Sequence, residues 1–279
     1  MSSERPEPSP TPSEADRYTH GHHASVVGQH ARRTAEREAA YLLPRLHAGM
    51  RLLDLGCGPG TITTGLARAV APGEVVGLDV VPEVLDEARA HLATTGLGNV
   101  RFEPGSAYTL PFEAASFDVV HAHQLFQHLT RPIDAAREAW RVLRPDGLLA
   151  VRDADYATMT HWPHSPLLDR WLALYHEVAR RNGAEPDAGR RLASWLRAGG
   201  FGHIEVSATT AVYSTADEVR NWGDSWADRI TRSSVATQAV EYALASTAEL
   251  EAIAEAWRGW ARDPDAFFMF VNVECLATR

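Results

Sequence analysis

A chain of 279 residues, 45% of them hydrophobic, can build one large α/β domain around a core of its own. Its formal net charge of −9 speaks against nucleic acid or an anionic membrane as a standing partner, since both select basic patches. Two cysteines, Cys57 and Cys275, cannot form a disulfide framework and point to a reducing cytoplasm. All 27 basic residues are arginine, so a lysine nucleophile or base is excluded.

Met1 to Asp16 is rich in Pro, Ser and Glu and has no apolar stretch of the kind a secretory signal needs. Residues 1–15 read as a disordered leader. Residues 16–48 read as a helical cover, with a helical pattern from Ala24 to Leu46 that Pro44 stops. No apolar run approaches the roughly 18 residues of a membrane span.

Strand and helix then alternate, which predicts a doubly wound parallel sheet. Strands are expected at 51–55, 75–79, 99–103, 117–122 and 148–152. Helices are expected at 61–70, from Pro82 to about Thr95, and at 133–143. Arg144-Pro145-Asp146-Gly147 reads as a turn, because Pro presets φ and Gly permits positive φ. Helical patterns follow at 165–182 and 187–199, then a sixth strand at 202–213. A tryptophan-rich helical insertion covers 215–263. Its last helix opens with a capping box, Ser246-Thr247-Ala248-Glu249. The alternating run from Phe267 to Leu276 closes the sheet as an antiparallel seventh strand. The core is therefore expected at 49–214 and 264–279. Trp222, Trp226, Trp257 and Trp260 either form the insertion's own small core or line a lid over an apolar pocket.

The most informative stretch is Asp54-Leu55-Gly56-Cys57-Gly58-Pro59-Gly60, at the end of the first apolar run. Glycines at 56, 58 and 60 give a turn poor in Cβ atoms, over which a ligand can lie close to the backbone. Asp79, 19 residues beyond Gly60, ends the second strand at the separation where a carboxylate grips ribose hydroxyls. A dinucleotide site spaces its glycines as G-x-G-x-x-G; here the spacing is tighter, and Asp54 would repel a phosphate but suit a cation. That conflicts with nicotinamide-dependent oxidoreduction.

Asp54 to Gly60, Asp79, Leu110-Pro111-Phe112, Phe117-Asp118-Val119-Val120 and Leu143 to Gly147 together resemble the class I S-adenosylmethionine-dependent methyltransferases, over about residues 50–152. Tyr18 to His22, Leu42-Leu43-Pro44 and the tryptophan-rich end resemble the ubiquinone-biosynthesis-type subgroup. That subgroup includes natural-product enzymes, some of which S-methylate dithiols. The resemblance implies a seven-stranded sheet with strands 1–6 parallel and strand 7 antiparallel. It implies S-adenosyl-L-methionine as cofactor and S-adenosyl-L-homocysteine as product. Asp54, Gly56, Gly58 and Gly60 would cradle the cofactor, Asp79 its ribose and Val80 one adenine face. Ser106 and Ala107 would meet the adenine edge, with Ser106 standing where the family usually has Asp. Backbone at Ala122 and His123 would hold the methionine portion, covered by Tyr18 and His22, with Arg33 on its carboxylate.

Three residues are candidates for the chemistry. His128, past strand 4, can take an acceptor's proton as a neutral imidazole, or simply tie down its loop. Asp153 and Tyr156, past strand 5, reach the same sheet edge. His121 reads as structural, and His161 to His164 as a pocket wall. No carboxylate or cysteine joins His20, His22, His23 and His30 at metal-site spacing, so no metal is expected. Isolated cysteines argue against arsenic methylation. The expected partner is a small, partly apolar acceptor, a natural product with an O, N or S nucleophile, and the chain would be a monomer or homodimer. Two alternatives stand beside this: a non-catalytic module that binds S-adenosylmethionine, and methylation of a quinone or phenol in primary metabolism.

Overall fold

The computed structural model describes Thr19 and residues 33–279. Tyr18, His22, His20, His23 and His30 lie outside the described residues, as do the leader and the first part of the expected N-terminal helix. From residue 33 onward that helix does not run on to Leu46. It is a four-residue helix, α1 (Ala35–Glu38), followed by a turn and a 3-10 turn at Leu43–Arg45. The break comes at Ala39, which leaves the helical region at φ −122° and ψ 20°, and Pro44 lies beyond it, inside the 3-10 turn. Ala35, Ala39 and Leu42 are nevertheless fully buried. A Cβ at Gly65 would stand 2.5 Å from that of Ala35, so the glycine lets α1 lie directly on its neighbour.

β1 (Leu52–Leu55), β2 (Val75–Asp79), β3 (Val100–Pro104), β4 (Phe117–His123), β5 (Leu143–Trp162), β6 (His203–Tyr213) and β7 (Phe267–Thr278) form one sheet in the order β3-β2-β1-β4-β5-β7-β6. The first five pair in parallel, and β7 is antiparallel to both β5 and β6. Strand β6 therefore runs with the first five, as the resemblance implied. All four residues of β1 are buried, the pattern of a strand covered on both faces.

β5 is far longer than the five residues read from the sequence. The turn Arg144 to Gly147 lies inside it as an outward bulge, with Asp146 at φ +63°, while the pairing with β4 jumps from Phe117–Leu143 to Val119–Leu148. At the other end β5 continues to Trp162, because β7 pairs with it as far as Phe267.

Helices α2 (Thr61–Val70), α3 (Pro82–Ala93) and α4 (Pro132–Val142) make the crossovers, and α5 (Pro166–Arg181) and α6 (Leu192–Ala198) follow β5. Between β6 and β7 come α7 (Ala216–Arg232), α8 (Ser234–Glu241) and α9 (Thr247–Trp260). A full capping box starts α7, with Thr215 and Glu218 as partners. At α9 only half the expected box forms: Ser246 accepts the Glu249 N–H, while the Glu249 carboxylate turns outward to Arg170 at 2.8 Å.

The tryptophans divide between interior packing and a cavity wall. Trp171 of α5, Trp226 of α7 and Trp257 of α9 meet edge-to-face or stacked, with centroids 4.4 to 6.4 Å apart, and are almost wholly buried with Phe268. Trp222 and Trp226 also face the cavity described below.

Candidate functional site

β1, β2 and β4 end at one rim, the edge at which open parallel sheets bind ligands. The loop after β1 carries Gly56, Gly58 and Gly60 at φ +65°, +53° and +77°, a left-handed series that side chains resist. Gly60 is needed for packing as well, since a Cβ there would stand 2.7 Å from the Phe102 ring. A Cβ on Gly58 would meet no atom within 4 Å. The Asp79 carboxylate accepts the Gly58 N–H and the Val81 N–H, each at 3.1 Å, and so fixes the loop to the tip of β2. Val80 beside it is 67% exposed.

Asp54 is 2% exposed and sits beneath this rim. Its Oδ2 accepts from the Thr63 hydroxyl at 2.6 Å, and its Oδ1 lies 2.7 Å from His121 Nδ1, directly across the β1–β4 pairing. In the structure Asp54 therefore holds the start of α2 and the interior of β4, and His121 has a structural role. Ser106 turns its Oγ back to the Tyr108 N–H at 3.2 Å, and Ala107 packs beside Tyr108 against the core. Ala122 is fully buried and pairs with Leu55.

Next to the rim is a cavity of about 390 Å³, a size typical of small-molecule sites. It lies past the end of β4, over the middle of β5 and the end of β6, and β7 and α7 close it. Strand alternation puts His123, Arg152, Tyr156, Asn272, Phe270, Thr209 and Tyr213 on its face of the sheet; α7 adds Glu218, Asn221, Trp222, Trp226 and Arg229. Arg33, from the N-terminal side, donates to Gln124 Oε1 at the mouth. Arg152 is held at 3.0 Å by Glu38 and at 3.3 Å by Glu274.

His128 ends a 3-10 turn, Phe126–His128, and reaches the cavity wall. Its Nε2 lies 3.0 Å from the Gln127 amide. Burial, helped by the positive charge of Arg33, pushes its pKa down to about 3, so the imidazole is neutral at any ordinary pH. Tyr156 lines the same cavity and stacks on Tyr175 with ring centroids 4.7 Å apart; burial pushes its phenol up.

Asp153 is on the opposite face of β5 and does not line the cavity. Its Oδ1 accepts the Gln127 N–H at 3.2 Å, while Oδ2 is buried with no hydrogen-bond partner among the described residues. Burial pushes its pKa up to about 8. Asp153 thus anchors the turn that presents His128.

A profile of the methyltransferase domain matches residues 46–200, just over half of the chain. An uncharacterized methyltransferase of Schizosaccharomyces pombe is 33% identical over 274 residues, covering 90% of this chain and 93% of its own. The chain belongs to the S-adenosylmethionine-dependent methyltransferases. A demethylmenaquinone methyltransferase of Lactococcus lactis, a relative of the ubiquinone type, is 36% identical over 112 residues, 40% of this chain and 44% of its own. The YcgJ protein of Bacillus subtilis shares the fold, with a TM-score of 0.59 at 20% identity over 88% of this chain and 98% of that one.

In this methyltransferase, Arg33, His123, His128 and Tyr156 come together on one cavity, while the glycine loop, Asp79 and Val80 share the adjacent rim. Sequence reasoning missed Gln124, Thr209, Asn272 and Arg229, whereas Trp222 was among the tryptophans read as either core or pocket lining. A signal for Asn272 was present. In Phe268-Met269-Phe270-Val271-Asn272-Val273-Glu274, Asn272 and Glu274 share the phase of Phe268 and Phe270, and both are buried. Buried polar residues in a core phase mark a site or a polar network. His161, His164 and Asp169 bring possible ligand atoms within 4.8 Å of one another, but away from this cavity's walls and mostly exposed. Among the described residues no helix is long and apolar enough to cross a membrane.

Proposed function

We propose that the enzyme moves the methyl group of S-adenosylmethionine from the rim at β1, β2 and β4 to a small, partly apolar acceptor held in the adjoining cavity. The observation that carries this reading is adjacency. A glycine loop with open space above Gly58, and a carboxylate at Asp79, stand at the tips of strands whose neighbour β4 ends in a cavity wall. The rim suits the cofactor: Asp79 offers lone pairs for ribose hydroxyls, and the exposed Val80 side chain offers an apolar face for adenine. Backbone at Ala122 and His123 and the Arg33 guanidinium would hold the methionine end. The cofactor supplies an electrophilic methyl on its sulfonium.

The protein's share is then positioning. The acceptor's lone pair attacks the methyl carbon in line, the C–S bond breaks with its electrons going to sulfur, and the acceptor loses a proton. Neutral His128 accepts a hydrogen bond from the nucleophile and relays its proton to solvent, since an imidazole with a pKa near 3 does not keep it, and Tyr156 orients the nucleophile. Helices α7 to α9 act as a lid whose inner side shapes the acceptor site. In this reading the acceptor is a natural product with an O, N or S nucleophile, and the two buried thiols, Cys57 and Cys275, suit a reducing cytoplasm.

The test is transfer of labelled methyl to panels of thiols, phenols, amines and carboxylates, with His128→Ala and Trp222→Ala alongside. Label should appear in at least one class, and His128→Ala should cut turnover by about 10²-fold if the imidazole takes the proton. A loss below about threefold would return His128 to a purely structural role. Transfer unaffected by Trp222→Ala would remove the acceptor from this cavity.

A further inference from the structure

The phase of β7 that meets the cavity turns from apolar to polar along the strand: Phe268 and Phe270, then Asn272 and Glu274. Glu274 is fully engaged. Arg152 and Thr209 reach its Oε1 at 3.3 and 2.7 Å, and Ser207 reaches its Oε2 at 2.9 Å. Asn272 stands between that polar network and the rings. It pairs with Ala154 of β5 on one side and Thr209 of β6 on the other. Only 1% of it is exposed, yet it lines the cavity.

The sense of the Asn272 amide is set from outside. The Arg33 guanidinium has donors only, so Gln124 must turn its Oε1 toward it and its Nε2 away. That Nε2 lies 3.5 Å from Asn272 Oδ1, so Asn272 receives with its oxygen. A donor-only group at one end thus orders both amides, each polarising the next. The chain ends on Asn272 Nδ2, an amino group with two N–H donors for which the described residues offer no acceptor. Buried donors are normally satisfied, and the cavity is where this one's partner has to come from. Beside it Tyr213, Trp222 and Phe270 line the cavity with their rings nearly parallel, at 17° to 26° to one another. Phe270 and Asn272 are two residues apart on one strand, a step of about 7 Å, so a ring system resting on the aromatic group brings its edge to the amide.

We propose that the methyl acceptor carries a carbonyl-type oxygen on an apolar ring system, and that Asn272 selects it by donating from Nδ2 while Phe270, Trp222 and Tyr213 take the ring. This deepens the methyl-transfer reading and rests on the cavity being the acceptor site. The device works by exclusion as well as attraction. An N–H group presented to Nδ2 would set donor against donor, and a bare C–H edge would leave Nδ2 unpaired. Thr209, opposite Asn272 on β6, cannot take over, because its hydroxyl proton goes to Glu274.

The test uses 1-indanone and indane, a bicyclic ketone and the hydrocarbon of the same skeleton, titrated by calorimetry at pH 8 into protein saturated with S-adenosylhomocysteine. The ratio of their affinities is compared between proteins, which removes their different costs of leaving water. Asn272→Leu should lower the indanone-to-indane ratio by about tenfold. Asn272→Asp should lower it at least as far, because an ionised carboxylate keeps the oxygen that Gln124 needs and loses the donor. A residue that served only to hold Gln124 would not show that second loss. A ratio unchanged in either variant, or binding of neither probe by the wild type, would overturn the proposal. Should both variants fail to fold, a crystal structure of the wild type with 1-indanone decides: the ketone oxygen within hydrogen-bond distance of Asn272 Nδ2 supports the proposal, and a ketone turned elsewhere overturns it. Absent S-adenosylhomocysteine binding would instead count against the methyl-transfer reading, and the same probes run without cofactor would then test Asn272 by itself.

Discussion

Replacing Asp153 by asparagine should make the protein more stable at alkaline pH, and less dependent on pH, than the wild type. Asp153 is fully buried, one oxygen has no partner among the described residues, and its pKa rises from 3.8 to about 8 because burial disfavours the charged form. The folded protein thus holds this proton more tightly than the unfolded chain. The resulting stability is complete below pH 3.8, declines as pH rises, and is gone once pH passes about 8. At about 1.4 kcal/mol per pH unit, the interval from pH 5 to pH 8 corresponds to a loss on the order of 4 kcal/mol. Asparagine mimics the protonated acid in shape: its Oδ1 can accept the Gln127 N–H, and it never ionises. The assay is thermal unfolding of both proteins from pH 5 to 9, read as a difference so that all other titrations cancel. The variant's melting temperature should gain on the wild type's by roughly 8 °C between pH 5 and pH 8.5. A difference that does not change with pH would show that this carboxyl ionises alike in folded and unfolded chains, and would refute the reasoning.

Asp79→Ala should lower affinity for S-adenosylhomocysteine by at least about 10²-fold in calorimetry, through loss of both the ribose contact and the strut to Gly58; unchanged affinity would refute that assignment. Gly58→Ala and Gly60→Ala should part company. The first meets only open space and should cost about 1–2 kcal/mol of backbone strain while weakening cofactor binding, whereas the second drives a methyl into Phe102 and should destabilise the fold more strongly in denaturant titration. Trp257→Ala, at the centre of the indole cluster, should cost about 3–5 kcal/mol of stability. With a pKa near 3, His128 should leave no inflection in the rate profile between pH 5 and 8, and an inflection near 6.5 that vanishes in His128→Ala would contradict its burial.

Most of the sheet could be read from local pattern, because parallel strands buried on both faces appear as short apolar runs set off by glycine and proline. Val75–Asp79 and Thr61–Val70 match their expected limits. What could not be read depends on partners distant in sequence. β5 runs on to Trp162 only because β7, more than a hundred residues later, pairs with it. The N-terminal helix breaks early, at Ala39, where no glycine or proline marks a stop. The rim was legible as well, since its glycines and Asp79 are close in sequence and constrained by backbone geometry. The cavity was not, because it takes single residues and short runs from four strands and a stripe of α7, and no local motif joins Arg229 to His123. Asp153 shows the limit of reasoning by sheet edge alone. It was placed just past the expected strand, but β5 runs on through it, and strand alternation sends it to the far face, where it supports the turn carrying His128.

The arrangement as a whole is tested most directly by a crystal structure of the protein with S-adenosylhomocysteine. The account predicts the adenosine across the tips of β1 and β2, ribose hydroxyls on Asp79, and the sulfur opening into the space bounded by His128, Tyr156 and Trp222. A sulfur turned away from that space, or walled off from it by the protein's own side chains, would contradict the account.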